Sequence, residues 1–296
     1  MLRAMNDTTR DLTGKTIVVT GSNTGLGRVT AEVLAERGAQ VVLANRSEER
    51  TRPVLDGILA KGGLARFHAL DLSRIGAAKE SAERLLEAGP VHVLVNNAGV
   101  AGVRGLSDDG FELTFAVNHL GPLRFTLSLL PALELAAKET GEARVVNVAS
   151  RAHKRVRRLD FDALTRPTRT PTGFPEYAVS KLANVYASRE LARHLGERGL
   201  GAITSCAVHP GVVASDIWRR VPAPFRWLMT RFMITNEEGA KTQIWCATAP
   251  ELRGHTGLYY AESRLKALQG LGDDEALARK LWDLSLRWIG EAAQRG

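Results

Sequence analysis

Short runs of β-branched and apolar residues alternate along this chain with longer amphipathic stretches. Clear runs occupy 16–20, 41–44, 91–95, 144–149 and 202–208, and a weaker run occupies 64–70. Strands that alternate with helices are typical of βαβ units and a parallel sheet. The runs are apolar almost throughout, which fits strands that are buried on both faces. The sequence therefore predicts an α/β fold, a doubly wound parallel sheet with helices on both faces.

No repeat, low-complexity tract or linker divides the sequence. Its 296 residues, 44% of them hydrophobic, are enough to bury a sizeable core. We therefore predict one domain over 1–296, with a core over about 14–290 and helices near 272–293 that close its end.

Cysteine usage and the start of the chain bear on its location. Cys206 and Cys246 give neither a disulfide framework nor metal-ligand spacing, which suits a reducing compartment. Residues 1–15 lack the apolar core of a signal peptide, and no stretch is long enough to cross a bilayer. We expect a cytoplasmic protein with no metal and no stable membrane insertion.

The formal net charge of +8 is compatible with nucleic acid, a membrane surface or acidic small molecules as partners. No predicted helix carries a continuous basic stripe with interleaved aromatic residues, so we expect no nucleic-acid partner. A nucleic-acid binder stays an alternative that a mobility-shift assay would remove. One local cluster is either solvated or attracts an oxygenated or acidic substrate. This basic cluster consists of Arg151, Lys154, Arg155, Arg157 and Arg158.

The segment TGSNTGLG, residues 20–27, follows the first predicted strand and opens an amphipathic stretch at 28–38. A glycine-rich turn in this position is the context that a dinucleotide-binding Rossmann motif requires. Gly21 would permit the sharp turn, Gly25 would let backbone amides approach a pyrophosphate, and Gly27 would let the helix pack on the strand. The spacing is one residue longer at the front than the commoner fingerprint, so a purely structural turn remains an alternative.

The end of the second predicted strand bears on the choice of cofactor. An NAD site usually places Asp or Glu about 20 residues after the loop, to bond the ribose 2′-hydroxyl. Here Asn45 and Arg46 occupy that place. A guanidinium pairs instead with a 2′-phosphate, and Arg28 adds a second positive charge. Together they predict NADP(H), although either arginine alone could be a solvated surface residue.

A second set of residues has the spacing of an acid–base site. Tyr177 and Lys181 lie four residues apart and share one face of a predicted helix. A nearby ammonium favours the phenolate, so we expect the pKa of Tyr177 to be lowered toward the working pH. Such a tyrosine exchanges a proton with a carbonyl or alcohol oxygen as hydride moves, while Ser150 holds that oxygen. The Tyr–Lys spacing alone is also common on protein surfaces.

The order of these motifs resembles that of the short-chain dehydrogenases/reductases. The motifs are Thr20–Gly27, the NNAG of Asn96–Gly99, Ser150, Tyr177 with Lys181, and the HPG of 209–211. The match covers roughly residues 14 to 290. The segments EYAVSKLANVYASRELARHL, AVHPGVV and EEGAKTQIWCA resemble the retinol dehydrogenase-like branch in particular.

The resemblance implies roles for further residues. Asn118 would join Ser150, Tyr177 and Lys181 as the fourth catalytic residue, holding a water that relays protons with Lys181. Lys181 would also bond the nicotinamide ribose, and Asp71 would contact the adenine. With the arguments above, it implies cofactor contacts by Gly21, Asn23, Thr24, Gly25, Leu26, Gly27, Arg28, Arg46, Asp71, Leu72, Asn97, Ala98, Gly99, Tyr177, Lys181, Pro210, Gly211, Val213 and Ser215. Ser215 stands where many relatives have Thr.

Two segments are placed to form a substrate wall beyond the carboxyl ends of the strands. One is the Pro- and Arg-rich stretch between Ser150 and Tyr177. The other, 212–235, contains Trp218, Phe225, Trp227, Leu228, Met229, Phe232 and Met233. We interpret 212–235 as a lid over a hydrophobic carbonyl compound. Packing on the domain or on a partner subunit, and transient membrane contact, remain alternatives.

The sequence thus predicts an NADP(H)-dependent oxidoreductase that interconverts a carbonyl and an alcohol on a hydrophobic small molecule, with Tyr177 as acid/base. One alternative is a non-catalytic NADP(H)-sensing Rossmann protein, and another is a carbon–carbon double-bond reductase of the same family. Dimers and tetramers are common in the family that the chain resembles, so a homodimer or homotetramer is possible.

Overall fold

A single sheet of eight strands organises the computed structural model, which describes residues 11–211 and 234–295. The strands are β1 Thr16–Thr20, β2 Gln40–Asn45, β3 Leu64–Ala69, β4 Val93–Asn96, β5 Ala143–Val148, β6 Ile203–His209, β7 Leu258–Ala261 and β8 Arg264–Leu265. Their order is β3-β2-β1-β4-β5-β6-β7-β8. All neighbours are parallel except β8, which runs antiparallel to β7. The predicted doubly wound α/β architecture is therefore confirmed.

Helices cover both faces of this sheet. They are α1 Gly25–Glu36, α2 Glu48–Ala60, α3 Ile75–Leu86, α4 Leu113–Ser128, α5 Leu130–Thr140, α6 Phe174–Glu197, α7 Asn236–Thr248 and α8 Glu275–Arg295. Short 3₁₀ turns occupy Arg151–Arg155, Asp162–Thr165, Pro250–Leu252 and Gly270–Asp273. Helix α4 contains a π-helical turn at Ala116–Leu120.

Alternation along each strand divides the core into two layers. In β1, Val18 packs into one layer while Ile17 and Val19 pack into the other, as the two-residue period of a strand requires. The first layer also holds the apolar side chains of α3, α4, α6 and α8, and the second holds those of α1, α2 and α7. The inner strands are buried on both faces, which is why they are apolar almost throughout.

The observed strands match the predicted runs to within two residues, and the weaker candidate at 64–70 forms β3. Strands β7 and β8 were not predicted, because each is too short to show a periodic pattern. The predicted C-terminal helices near 272–293 correspond to α8.

Among the described helices, none is by itself long and apolar enough to cross a membrane. The pair Leu113–Ser128 and Leu130–Thr140 passes that test together, by length and composition, with a bend of 55° between its members.

Two predictions reach beyond the described residues. Most of the proposed lid, 212–233, lies outside them, and so do Val213 and Ser215. The single domain over 1–296 also includes residues 1–10, and it stays a prediction.

Candidate active site

The carboxyl ends of the parallel strands bring the predicted site residues to one edge of the sheet. The strand order reverses between β1 and β4, and in open α/β sheets ligands bind in the crevice at such a point. The glycine loop 20–27 follows β1, and Asn97–Gly99 follow β4. Ser150 follows β5, so the segments for cofactor and chemistry meet at one crevice.

The glycine loop has the close backbone approaches that make glycine necessary. Gly21 has φ +66°, and a Cβ placed there would lie 2.7 Å from Ala98 Cα. A Cβ at Gly27 would overlap the Gly21 carbonyl oxygen and Asn97 Nδ2. Gly25, with φ +57°, begins α1, whose N-terminal amides and dipole favour an anion. This bare backbone cradle fits the pyrophosphate of a dinucleotide.

The end of β2 supports the loop instead of supplying a carboxylate. Asn45 is buried, its Oδ1 accepts a hydrogen bond from the Ser22 backbone N–H at 2.8 Å, and its Nδ2 donates to Ser22 Oγ at 3.0 Å. The next residue, Arg46, is exposed and makes no ion pair with any described residue. Arg28 is also exposed, with Glu32 3.7 Å away as a loose partner.

The polar groups of Asn97 and Ala98 tie β4 to β1. Asn97 Nδ2 donates to the Thr20 carbonyl at 2.9 Å, and the backbone N–H groups of Asn97 and Ala98 donate to Thr20 Oγ1 at 3.1 and 3.0 Å. Neither Thr20 nor Gln243 was predicted as part of this network. Gln243, buried on α7, donates to Thr30 Oγ1 and approaches Asn97 Oδ1. These bonds fix the crevice at the switch point.

Ser150, Tyr177 and Lys181 come together beside the end of β5. Tyr177 and Lys181 lie one turn apart on α6 and are both buried, with 6% and 3% of their surface exposed. The Lys181 ammonium lies 5.8 Å from the centroid of the Tyr177 ring and donates a hydrogen bond to the Val148 carbonyl at 2.8 Å. Ser150 begins the next 3₁₀ turn and interacts with the Tyr177 phenol.

The pKa of Tyr177 is shifted in the direction opposite to the predicted one. Burial lowers the pKa of Lys181 to about 8. Burial also raises the pKa of Tyr177 above its ordinary value, while the Ser150 hydroxyl opposes that rise. The expected lowering of the Tyr177 pKa by Lys181 is therefore wrong for this structure, because desolvation of the phenolate dominates. A tyrosine that stays protonated at neutral pH can act as a proton donor.

Asn118 lies in the π-helical turn of α4, an irregularity frequently found at functional sites. Its Oδ1 accepts from the Val100 backbone N–H at 2.8 Å. Its Nδ2 donates to the Val100 carbonyl at 2.9 Å and to Ser180 Oγ at 3.0 Å. A Cβ added to Gly99 would lie 3.3 Å from Asn118 Oδ1 and 3.4 Å from Lys181 Nζ. Asn118 is thus brought beside Lys181, and its side chain holds the loop after β4.

The other predicted cofactor residues lie around the same edge. Asp71 follows β3, and its Oδ1 accepts two hydrogen bonds from Ser73. Leu72 and Leu26 are packing residues as well: Leu72 is buried in the core, and Leu26 packs between α1 and α7. Asn23 and Thr24 lie within the glycine loop, and Pro210 and Gly211 follow β6.

A buried polar ladder crosses the sheet beneath the site. Asn96 Nδ2 donates to Thr126 Oγ1 at 2.8 Å and to Asn147 Oδ1 at 2.9 Å. Asn147 Nδ2 donates in turn to Ser188 Oγ at 2.9 Å. The ladder joins β4 and β5 to α6, the helix that carries Tyr177.

Among the buried side chains are two histidines, His119 and His209, and both cysteines, Cys206 and Cys246. His119 Nε2 lies 2.9 Å from Ser285 Oγ, and burial lowers the pKa of His119 to about 3. Burial also lowers the pKa of His209 to about 4. Cys206 and Cys246 are both free. Within 11–211 and 234–295, no three His, Cys, Asp or Glu side chains are grouped so that they could hold a metal.

Comparison with known proteins places these features in a family. Residues 15–160 match the family model described as short chain dehydrogenase. The chain is 38% identical over 295 residues to human dehydrogenase/reductase SDR family member 13, covering 95% of this chain and 74% of that protein. It is also 38% identical to human retinol dehydrogenase 11 over 290 residues, covering 95% and 88% of the two chains.

Solved structures share the fold. A Mycobacterium paratuberculosis protein of uncharacterised function superposes with a TM-score of 0.75 at 28% identity, over 97% of each chain. A Beutenbergia cavernae protein, provisionally assigned as an NAD(P)-dependent gluconate 5-dehydrogenase, superposes with a TM-score of 0.66 at 26% identity. That match covers 86% of this chain and 96% of the other, whose crystal contains NADP at low occupancy. The chain belongs to the short-chain dehydrogenase family and is an oxidoreductase of that family.

Proposed function

We propose that this protein is an NADP(H)-dependent oxidoreductase that interconverts an aldehyde or ketone and the corresponding alcohol on a hydrophobic small molecule. The observation that carries the proposal is the meeting of Ser150, Tyr177 and Lys181 beside the glycine cradle, at the switch point of the sheet. A nucleotide sensor would not need a buried phenol and ammonium there. Relatives named retinol dehydrogenase support the reaction type.

The residues divide the chemistry between them. A nicotinamide held in this crevice would supply or accept the hydride at the substrate carbon. In reduction, Tyr177 gives its phenolic proton to the carbonyl oxygen, and in oxidation it removes the alcohol proton. Ser150 holds that oxygen by a hydrogen bond, so the substrate carbon is oriented before transfer. Lys181 places a positive charge beside the phenolate that forms, and Asn118 completes a proton relay through water.

NADP(H) is the cofactor that the charges at the end of β2 favour. Asn45 occupies the place of the carboxylate that would bond a ribose 2′-hydroxyl, and it is already bonded to Ser22. Arg46 projects beside it without a carboxylate partner among the described residues. An unpaired guanidinium suits a 2′-phosphate, and the absence of an acid there removes a repulsion.

The proposal also extends to the substrate, the partners and the location of the enzyme. The substrate is a small hydrophobic carbonyl or alcohol compound, and neither nucleic acid nor a stably inserted membrane is a partner. The enzyme acts in the cytoplasm, a location that its two free, buried cysteines support.

The test is steady-state oxidation of NADPH and of NADH with a panel of hydrophobic aldehydes and ketones. We expect turnover that prefers NADPH. We expect Arg46→Ala to raise the KM for NADPH about tenfold while changing that for NADH by less than about twofold, because only NADPH carries the phosphate.

The matched control for Arg46 is Arg52→Ala, an exposed arginine on α2 already paired with Glu48 at 2.6 Å. It should leave the NADPH preference unchanged. NADH preference in the wild type would contradict the cofactor assignment. Reduction of carbon–carbon double bonds without any carbonyl turnover would favour the double-bond reductase instead.

A further inference from the structure

Five cations are concentrated within eight residues of the described surface, in the basic cluster Arg151, Lys154, Arg155, Arg157 and Arg158. Elsewhere, exposed arginines and lysines repeatedly pair with carboxylates, as Arg52 does with Glu48 at 2.6 Å. No member of the basic cluster forms an ion pair with a described residue. Positive charge is therefore left uncompensated on the segment that begins at Ser150.

Within the cluster, Arg155 lies on the side of the candidate active site. Its guanidinium carbon is 5.3 Å from the centroid of the Phe174 ring. The Phe174 ring is in turn 5.9 Å from that of Tyr177. Val156, the next residue, also packs against the Tyr177 cluster. The Arg155 guanidinium, the Phe174 ring and the Tyr177 phenol therefore form a row from the surface to the proposed catalytic tyrosine.

The other cations of the 3₁₀ turn face elsewhere. Lys154 Nζ donates to Gln269 Oε1 at 3.3 Å. The hydrogen bond from Lys266 is the main cause of the lowered pKa of Glu262 beside β8, and the positive charge of Arg151 adds to it. Among the three cations of this 3₁₀ turn, Arg155 is therefore the one that a described ring contact places beside the candidate active site.

The carboxylate closest in sequence to the Tyr177 end of α6 does not neutralise Arg155. Glu176 accepts hydrogen bonds from the Thr170 backbone N–H at 3.1 Å and from Thr170 Oγ1 at 2.5 Å. Those two bonds turn the carboxylate toward the preceding loop. A guanidinium that rests on an aromatic face keeps its in-plane N–H groups free to bind a planar anion.

We propose that Arg155 is a specificity residue that binds an anionic group, a carboxylate in particular, at the end of the substrate remote from the carbonyl. The inference rests on the proposed carbonyl reduction and adds to it a substrate class, hydrophobic aldehydes or ketones that carry an acidic group. Phe174 contacts the apolar chain between the two ends. Arg155 forms a bidentate pair with the carboxylate, which favours acidic over neutral substrates.

The test compares a medium-chain aldehyde that ends in a carboxylate with the methyl ester of the same acid. In the wild type we expect kcat/KM for the acid to exceed that for the ester about fivefold, the size of one well-placed exposed ion pair. Arg155→Gln should remove the difference by raising the KM for the acid. Arg155→Lys should keep part of it, because the charge remains without the fork of donors.

Arg166→Gln is the matched control. Arg166 lies in the same loop, but it already faces Asp162 at 3.6 Å, so its loss should leave the acid-to-ester ratio unchanged. Equal kcat/KM for acid and ester in the wild type would overturn the proposal while leaving carbonyl reduction in place. The proposal would also be overturned if Arg155→Gln left the acid-to-ester ratio of kcat/KM unchanged.

A binding measurement separates this inference from the activity on which it rests. We would titrate decanoate and decanol into the enzyme with NADPH and follow intrinsic tryptophan fluorescence. Decanoate binding that weakens in Arg155→Gln would support the anion site even if neither aldehyde were reduced, a result that would sink the proposed reaction. Loss of binding to phosphatidylserine vesicles in Arg155→Gln, with no effect on decanoate, would show a membrane contact instead and overturn the substrate role.

Discussion

The Lys181 ammonium changes its charge close to neutral pH, because burial lowers its pKa to about 8. Below that pH the ammonium is protonated and favours the tyrosinate that forms as Tyr177 gives up its proton. Above it, this charge is lost. The pKa of Tyr177 is raised, so its phenol stays protonated through the same range. Lys181, and not the tyrosine, therefore sets the alkaline limit of reduction.

We predict that kcat/KM for aldehyde reduction is flat below about pH 8 and falls as pH rises through that value. In Lys181→Arg the remaining activity should lose this fall, since a guanidinium is not deprotonated in proteins. A pH–rate series at constant ionic strength measures both. Lys266→Arg is the control, because Lys266 is a surface residue paired with Glu262 at 3.0 Å. If kcat/KM of Lys181→Arg fell with rising pH as it does in the wild type, the fall would come from the titration of another group.

The junction between strand β1 and helix α1 leaves no room for a side chain at Gly27. A methyl group there would meet the Gly21 carbonyl and Asn97 Nδ2. The Gly21 carbonyl is backbone and the Asn97 amide is held by hydrogen bonds, so neither can move aside as a flexible side chain would. We predict that Gly27→Ala lowers the free energy of unfolding by about 1–3 kcal/mol and weakens NADPH binding about tenfold or more. Urea denaturation and NADPH fluorescence titration measure the two effects.

A second glycine provides the comparison for that variant. Gly57 lies on the exposed side of α2, and a Cβ added there meets nothing within 4 Å. Gly57→Ala should stabilise the protein by about 0.5–1 kcal/mol through helix propensity and should not change NADPH binding. If Gly27→Ala bound NADPH as tightly as Gly57→Ala, the cradle would not be the cofactor site.

Several elements could be predicted from sequence because their signal is local. Strands β1, β2, β4, β5 and β6 are buried almost throughout, so they appear as apolar runs, whereas the edge strand β3 is largely exposed and gives the weaker signal. Strands β7 and β8 were missed because each is too short to show a pattern; β7 is defined by its pairing with β6, and β8 by its pairing with β7. The π-helical turn at Ala116–Leu120 was missed for a similar reason, because no local pattern marks an inserted residue within a helix.

Part of the candidate active site could be predicted from the sequence, and the rest depends on the whole fold. Glycine spacing and the Tyr–Lys pair mark Gly21, Gly27, Tyr177 and Lys181 directly, and the sheet order brings them to one edge. The contacts that hold this arrangement together could not be predicted. Asn45 supports Ser22 across 23 residues, and the ladder from Asn96 reaches α6 through side chains separated by up to 51 positions. The raised pKa of Tyr177 also follows from burial, which only the assembled fold determines.

The most direct test of the role of Tyr177 is single-turnover oxidation of enzyme-bound NADPH by a medium-chain aldehyde, in the wild type and in Tyr177→Phe. We predict that both proteins bind NADPH with similar affinity. The variant should oxidise the bound cofactor about 10²–10⁴-fold more slowly, the usual contribution of a general acid. Equal single-turnover rates would remove Tyr177 from the chemistry. Tight NADPH binding with no oxidation by any aldehyde or ketone would contradict the enzyme and favour a nucleotide sensor.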